Sequence, residues 1–309
     1  MRSTPVLLTT VALTVAVLAV SSSAPLIAYV TAPALAVAFW RNGLAFVALT
    51  PVTAGPRRAE LGLLRGPAGL FGVLAGVALA VHFATWMPSV QLGSVATATA
   101  LVATQPVWQG LLAVAMRRRG GPATGIPDRL GWVGIALSVA GVAWATGVDL
   151  GVSAQAVLAD VLALIGAMAA AVYTALGERA RARLSTTTYT WVCYGTCAVL
   201  LLGVCLVAGV PLTGYDGRTW LAILALVAGA QLLGHSMFNY ALHRVSATTV
   251  SVLILLEVPG AALLAWAWLG QTPRTAALPG LALLMLGVVI VIVAGARGRR
   301  RAQVAVPAA

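Results

Sequence analysis

The sequence contains no lysine. All 19 of its basic residues are arginine, and they stand against only 7 acidic residues in a chain of 309. A phosphate-binding loop needs a lysine to reach the β- and γ-phosphates, and Schiff-base chemistry needs a primary amine on a side chain. The missing lysine therefore argues against ATP hydrolysis through such a loop and against a pyridoxal cofactor, and no cofactor is predicted.

Charge of either sign is also scarce. Charged residues make up 8% of the chain and hydrophobic residues 61%, with a mean hydropathy of +0.98. An ordinary soluble domain has about 25% charged residues, which cover its surface in water. So few charges predict that the surface faces lipid. The net charge of +12 then indicates basic loops beside a membrane, and no nucleic acid partner is predicted.

Ten apolar stretches are long enough to cross a bilayer, since a spanning helix needs about 20 mainly apolar residues. We predict an all-α polytopic membrane protein with spans at 5–27, 33–53, 66–89, 95–116, 129–148, 156–177, 187–210, 219–242, 247–270 and 275–295. The short connections leave no room for a soluble catalytic domain between spans. Function is therefore expected within the membrane.

The arginines are distributed unevenly over the connections. With a cytoplasmic N-terminus, 16 arginines fall on cytoplasmic segments, Arg218 and Arg274 fall outside, and Arg41 lies within a span. Because basic residues accumulate in cytoplasmic loops, both termini are predicted to be cytoplasmic and the protein to lie in the cell membrane. The basic tail at 297–301 is then an anchor at anionic head groups.

The two halves of the chain share landmarks in the same order. The matching pairs, at shifts of 153 or 146 positions, are His82 with His235, Pro106 with Pro259, Gly134 with Gly280 and Gly141 with Gly287. An odd number of spans per repeat inverts the second copy in the membrane, an architecture found in transporters. We therefore predict two inverted five-helix repeats, 1–150 and 151–309, the second ending in the basic tail.

Several short motifs also occur in a recognisable order. They are Ala32-Pro33 before Phe39-Trp40-Arg41 in span two, an Asp-Val-Leu-Ala-Leu run from Asp160 with Tyr173 in span six, Leu256-Glu257-Val258-Pro259 in span nine, and the spaced glycines of spans five and ten. Together they resemble the drug/metabolite transporter superfamily, in its ten-helix members built from two EamA-like repeats. The resemblance implies export, or in some members import, of small metabolites or drugs.

The sequence departs from that family at two span ends. Members often carry a Gly-Glu pair where spans four and nine end, whereas this chain has Met116-Arg117 and Gly270-Gln271 there. The resemblance therefore implies no acidic role at these two places, and any acidic function has to come from another part of the chain.

Two ionisable residues fall near the centres of spans, where each costs roughly 2.5–3.5 kcal/mol on insertion scales. They are Arg41 in span two and Glu257 in span nine. They either form a structural ion pair between the halves or take part in function. We predict that Glu257 carries the coupling or substrate-binding charge, with Arg41 as its resting partner. Pro259 and Pro106 are expected to kink their helices.

Other polar residues also fall within predicted spans. Span eight carries Gln231, His235, Asn239 and His243 at four-residue steps, on one helical face. That face either lines a substrate path or hydrogen-bonds to other helices. The remaining path candidates are His82, Gln105 and Trp40. No metal site is predicted, because the histidines have no carboxylate at ligand spacing.

Three classes of function remain open from the sequence. They are a secondary transporter of small organic solutes working by alternating access, an intramembrane enzyme and a structural membrane subunit. Inverted halves and a polar stripe in the middle of the bundle favour the transporter. Proton coupling and a homodimer are both left open.

The arginine distribution generates a test of topology. Alkaline phosphatase, which is active only outside the cytoplasm, should be inactive when it is fused after Ala309 and active when it is inserted after Gly214, in a predicted outer loop. The activity of whole cells that express each fusion gives the answer. Activity of the Ala309 fusion would overturn the predicted orientation.

Overall fold

The protein is helical in every described element of this computed structural model. The described residues are 3–118, 127–150, 152–234, 237 and 255–304. A helix satisfies its own backbone N–H and C=O groups, as lipid requires. The α-helices are α1 (Ser3–Ser21), α2 (Ser23–Tyr29), α3 (Ala34–Ala54), α4 (Pro67–Leu92), α5 (Val95–Val102), α6 (Gln105–Arg118), α7 (Arg129–Leu150), α8 (Ala154–Arg181), α9 (Thr186–Val207), α10 (Gly217–Ala225), α11 (Glu257–Leu269) and α12 (Leu278–Val304).

Within the described residues, seven helical stretches are long and apolar enough to span a membrane. They are Ala34–Ala54, Pro67–Leu92, Val95–Arg118, Ala154–Arg181, Thr186–Val207, Gly217–Gly234 and Thr275–Arg297. Two shorter apolar helices lie at Leu13–Tyr29 and Arg129–Trp144. Residues 247–254 of the predicted ninth span lie outside the described residues, and α11 forms the rest of it. The chain is therefore a multi-pass membrane protein.

The first predicted span is not one continuous helix. It divides at Ser22, between α1 and α2, and a second break follows α2 at residues 30–33. Pro25 explains the break at Ser22, because proline has no N–H to donate to the carbonyl of Ser21 one turn earlier. The side chain of Ser22 bonds instead to its own turn, donating to the carbonyl oxygen of Ala19 at 2.7 Å.

The kink predicted at Pro106 is confirmed as a break between α5 and α6, whereas residues 251–254 before Pro259 lie outside the described residues. The chain leaves the helix at residues 103–104 and re-enters it as α6, whose second residue is Pro106. Helix α11 likewise begins at Glu257, two residues before Pro259, after a turn at residues 255–256. Both prolines thus lie in the first turn of a helix, where a missing N–H costs little.

Glycines bring α7 and α12 into close contact. A Cβ atom at Gly134 would lie 2.7 Å from the carbonyl oxygen of Gly287, and one at Gly141 would lie 2.6 Å from that of Gly280. The higher-numbered glycine of one helix meets the lower-numbered glycine of the other, so the two helices are antiparallel. Small residues permit this approach, which gives van der Waals contact where lipid offers no hydrophobic driving force.

Two further helix pairs enclose the middle of the bundle. Helices α4 and α8 meet where Gly166 lies against Trp86 and Gly93 against Ala159. Helices α3 and α9 meet where Gly195 lies against Phe46, and the indole N–H of Trp191 donates to Thr50 at 2.9 Å. Both pairs run antiparallel, by the same reasoning from residue numbers. The main core of apolar residues lies among α2, α3, α4, α9 and α10.

Glu60 joins two connections at the arginine-rich end of the bundle. It belongs to the 3₁₀ segment Arg58–Arg65, pairs with Arg57 at 3.2 Å and accepts from the backbone N–H of Ser185 at 2.9 Å. Burial alone would raise the pKa of Glu60, but hydrogen bonds from Ser185, Thr188 and Arg57 together lower it. The carboxylate is therefore charged at neutral pH and holds the loop before α9.

The glycine contact gives a prediction about stability. Gly287→Ala places a methyl group 2.5 Å from the backbone nitrogen of Ser138, and such overpacking typically costs about 1–3 kcal/mol. The thermal unfolding midpoint of the purified protein in detergent should fall. Gly295→Ala, on the same helix with no heavy atom within 4 Å of the added Cβ, should leave it unchanged. Equal midpoints for both variants would contradict the predicted role.

Candidate functional site

Arg41 lies on α3 and is 3% exposed. Its Nε group donates to Oε1 of Gln231, and its Nη1 group donates to Oγ of Ser23 at 3.1 Å. The two acceptors come from the π-helical segment Leu226–Gly234, which continues α10, and from the first residue of α2. One guanidinium therefore joins three separate stretches of the chain.

Gln231 extends this network to Asn42. Its Nε2 group donates to Oδ1 of Asn42 at 3.2 Å, and the Nδ2 group of Asn42 donates to the carbonyl oxygen of Ala38 at 2.8 Å. Gln231 is 2% exposed and Asn42 is fully buried. The side-chain amide of Gln231 thus accepts from one residue of α3 and donates to another. Hydrogen bonding between helices is one of the two roles that the sequence left open for the polar face of span eight.

The backbone that carries Gln231 is unusual. Nine residues, Leu226–Gly234, form a π-helix, whereas most π-helical stretches are single-turn bulges inside α-helices and are frequent at functional sites. The wider helix changes which side chains of span eight face α3. This local geometry brings Gln231 to the guanidinium.

The predicted pair of Arg41 and Glu257 is not in direct contact. The two groups interact electrostatically, but no oxygen of Glu257 lies within 4.0 Å of a nitrogen of Arg41. The guanidinium instead donates to the neutral groups of Gln231 and Ser23, and its carbon atom lies 4.6 Å from the centroid of the Phe83 ring. In this conformation the hydrogen bonds of Arg41 thus go to neutral acceptors, and its proposed partnership with Glu257 stays a prediction.

Glu257 is the first residue of α11 and is half-buried. The N-terminal end of a helix carries a partial positive charge, which favours a carboxylate there. One turn further along α11, Gly260 packs against Ser21 at the break between α1 and α2. The hydroxyl of Ser21 is buried and has no hydrogen-bond partner in the described part of the chain. Glu257 therefore lies at the start of a helix that packs against the break between α1 and α2. Ser23, which accepts a hydrogen bond from Arg41, lies just after that break.

His82 lies on α4, within electrostatic range of Arg41. Its Nδ1 atom is 2.9 Å from the carbonyl oxygen of Gly166 on α8. A carbonyl only accepts, so Nδ1 carries a proton and Nε2 is the acceptor of the neutral ring. The ring stacks on Trp86 at 5.6 Å, and the buried indole N–H of Trp86 has no partner among the described residues.

The other two described candidates make contacts outside this network. Gln105 donates to Oγ1 of Thr174 at 2.7 Å and so links α6 to α8. The indole N–H of Trp40 donates to the carbonyl oxygen of Leu212 at 2.7 Å, and its ring lies edge-on to Trp220. Both side chains hold neighbouring segments together, and neither shares a partner with Arg41.

Two predicted site residues, His235 and Asn239, lie outside the described residues, as does His243. Conversely, the sequence reasoning missed Ser23, Asn42 and Phe83 as partners of the network. Asn42 could have been recognised as a second polar side chain beside Arg41 within an apolar span. Ser23 and Phe83 give no such signal, because a serine or a phenylalanine is ordinary in a membrane helix.

The network predicts that Gln231 stabilises the fold through Arg41. Gln231→Leu leaves an N–H of a buried guanidinium without its acceptor, which costs about 1–3 kcal/mol or more for a charged group. The thermal unfolding midpoint in detergent should therefore fall. Gln231→Glu keeps an acceptor for Arg41 but loses the donor to Asn42, so its midpoint should fall less than that of Gln231→Leu. If Gln231→Leu were as stable as Gln231→Glu, the hydrogen bond from Arg41 to residue 231 would not contribute to the stability of the fold.

Comparison with known proteins agrees with this architecture. A family model described as the EamA-like transporter family matches residues 157–293. Curated proteins give no match. Fourteen chains of solved structures match, and one of them, titled "Crystal structure of protein", is 20% identical with a TM-score of 0.58 over 97% of this chain and 100% of its own. That likeness shows the fold alone. Residues 157–293 are thus similar to an EamA-like transporter domain, which is consistent with the drug/metabolite transporter superfamily, in a multi-pass membrane protein.

Proposed function

We propose that the protein is a secondary transporter that exports small organic solutes, such as amino acids or drugs, across the cytoplasmic membrane by alternating access. The EamA-like domain supports a membrane transporter. The absence of lysine, and with it of a phosphate-loop lysine, supports a process driven by a gradient. The buried polar network that joins helices of the two halves is the observation that carries the proposal.

We infer that ten spanning helices form two inverted repeats, 1–150 and 151–309, with both termini in the cytoplasm. The glycine contacts support this inference. At a shift of 146 positions, Gly134 corresponds to Gly280 and Gly141 to Gly287. In the structure the contacts are crossed, because Gly134 lies against Gly287 and Gly141 lies against Gly280. A two-fold axis in the membrane plane produces this reciprocal pattern.

The proline breaks support the same inference. Pro106 and Pro259 lie 153 positions apart, and each lies in the first turn of a helix that begins directly after turn residues. Discontinuous helices near the interface of inverted repeats are where transporters place substrate and coupling ions. Glu257 is the first residue of the second of these helices.

Arg41 and Gln231 lie on opposite sides of the proposed boundary between repeats. Their hydrogen bond therefore has to stretch or break if one repeat rocks against the other. The same movement would alter the distance from Arg41 to Glu257, and a Coulomb interaction in a medium of low dielectric changes steeply with distance. This change would couple the charge of Glu257, and a proton bound there, to the conformational state.

We assign Glu257 the coupling or substrate-binding charge and Arg41 the charge that responds to it. His82 and Gln231, together with His235 and Asn239, are proposed to line the path. Trp40 and Gln105 are proposed to position the helices beside it, in keeping with their bonds to Leu212 and Thr174.

The assignment predicts the behaviour of Glu257→Gln, which removes the charge but keeps the size of the side chain. A substrate is first found by screening overexpressing cells for growth on toxic metabolites. In proteoliposomes, gradient-driven transport of that substrate by Glu257→Gln should fall at least about tenfold, a loss of ~1.4 kcal/mol. Glu178→Gln, at an exposed position near the end of α8, should transport normally.

Counterflow of labelled substrate without a gradient separates the two roles. If Glu257 is the coupling charge, counterflow persists in Glu257→Gln, and if it binds substrate, counterflow is lost as well. Unimpaired gradient-driven transport would refute the assignment. Loss of expression that is rescued by exchanging Arg41 and Glu257 would make the pair structural. Wild-type protein that turns over the substrate chemically without moving it would contradict transport.

A further inference from the structure

An apolar groove of about 560 Å³ lies on the side of the bundle, among α3, α4 and α9. Its lining includes Phe39, Val47, Val73, Trp191, Val199 and Leu202. The valines are strongly exposed, at 63%, 41% and 69% in chain order. In a membrane protein such an exposed apolar rim faces the acyl chains of lipid. The groove is therefore open to the bilayer.

The length of the groove corresponds to one leaflet. From Trp191 to Leu202 it follows α9 for about 17 Å, at a rise of 1.5 Å per residue. The hydrocarbon core of a bilayer is about 30 Å thick, so one leaflet provides about 15 Å. Its volume is within the 300–1,000 Å³ or so that is usual for sites that bind small molecules. A lipid acyl chain lying along the helices matches these dimensions.

One end of the groove reaches a basic segment. Leu64 lines the groove and belongs to the 3₁₀ segment Arg58–Arg65. Arg58 and Arg65 are exposed, and neither has a carboxylate oxygen within 4.0 Å in the described part of the chain. Leu63 of the same segment is 44% exposed. Apolar and basic side chains side by side are typical of a segment that lies in the head-group region.

We propose that this groove binds an anionic phospholipid from the leaflet on the arginine-rich side. One acyl chain lies between α3, α4 and α9, and the phosphate of the head group is held by Arg58 and Arg65. Basic pockets at the ends of membrane helices attract anionic head groups, and a guanidinium matches the geometry of a phosphate. The site lies outside the Arg41 network and does not depend on the proposed transport function.

The place of the groove gives the lipid a structural role. Helix α3 carries Arg41, whereas α9 belongs to the other half of the chain, and the groove is formed where they meet. A bound acyl chain fills space between the two halves beside Gly43, where an added Cβ would meet no atom nearer than Phe39 at 3.8 Å and Ala198 at 3.9 Å.

Native mass spectrometry of the purified full chain tests the proposal. The protein in detergent receives equal amounts of phosphatidylglycerol and phosphatidylcholine with identical acyl chains. We expect one retained phosphatidylglycerol per chain, in clear preference to phosphatidylcholine. Val73→Trp fills the groove and should lower this occupancy about tenfold. Val77→Trp, on the same helix and equally exposed at 40% but outside the groove, should retain the lipid.

The double variant Arg58→Ala with Arg65→Ala tests the head group separately. Each arginine beside an anionic surface contributes about a fivefold preference, so the double variant should bind the two lipids about equally. Equal binding of both lipids by the wild type would overturn the proposal, as would wild-type occupancy in Val73→Trp. A dimer that Val73→Trp dissociates would show that a second copy occupies the groove. If Val73→Trp does not fold, the same comparison can be made on α9, with Val199→Trp filling the groove and Val204→Trp as the control outside it.

Discussion

The buried guanidinium of Arg41 is the constraint on which the middle of the bundle depends. A charged side chain within the membrane is costly unless its N–H groups find acceptors, because neither lipid nor apolar side chains supply any. Here the acceptors are Gln231 and Ser23, and the face of Phe83 adds a favourable contact. The chain provides these acceptors at two local irregularities, a kink before Pro25 and a nine-residue π-helix. Both irregularities stand within predicted membrane spans.

Small residues and prolines set the geometry around this network. Close approach at Gly134 and Gly287 fixes α7 against α12, and Gly166 fixes α8 against Trp86. In lipid these contacts stabilise helix packing through van der Waals contact and not through exclusion of water. Pro25 and Pro106 lie where the described spans divide into shorter helices, and Glu257 is the first residue of the helix that contains Pro259.

The neutral character of the partners of Arg41 bears on mechanism. An Arg41 in direct contact with Glu257 would form a buried ion pair, which is stable when made and costly to break. The observed arrangement keeps the carboxylate within electrostatic range but out of contact. In our proposal, a charge held in this way responds to small movements of the helices without breaking an ion pair. The lipid groove between α3 and α9 lies next to the same moving contact in our proposal.

The sequence by itself determined the class of the protein. Hydropathy and length act locally, so apolar runs of about 20 residues identify spanning helices without any knowledge of their neighbours. The same local reasoning located Arg41, Glu257 and Gln231 as polar residues that require an explanation, and it located the helix break at Pro106. The break at Ser22 was missed, although Pro25 carries the same signal, because apolarity alone was used to define the first span.

The tertiary structure decided which of these residues meet. A guanidinium donates hydrogen bonds to any oxygen within reach, so sequence cannot choose between Glu257, Gln231 and Ser23 as partners of Arg41. The choice follows from how α3 packs against the π-helical segment and α2, and a π-helix has no signature in hydropathy. Trp40 was predicted beside the path because it lies deep in its span, where its ring could stack on a substrate, and the structure shows its indole bonded to Leu212 in a loop. Adjacent residues on a helix point in different directions. Which partner each side chain meets depends on how the neighbouring helices pack around it.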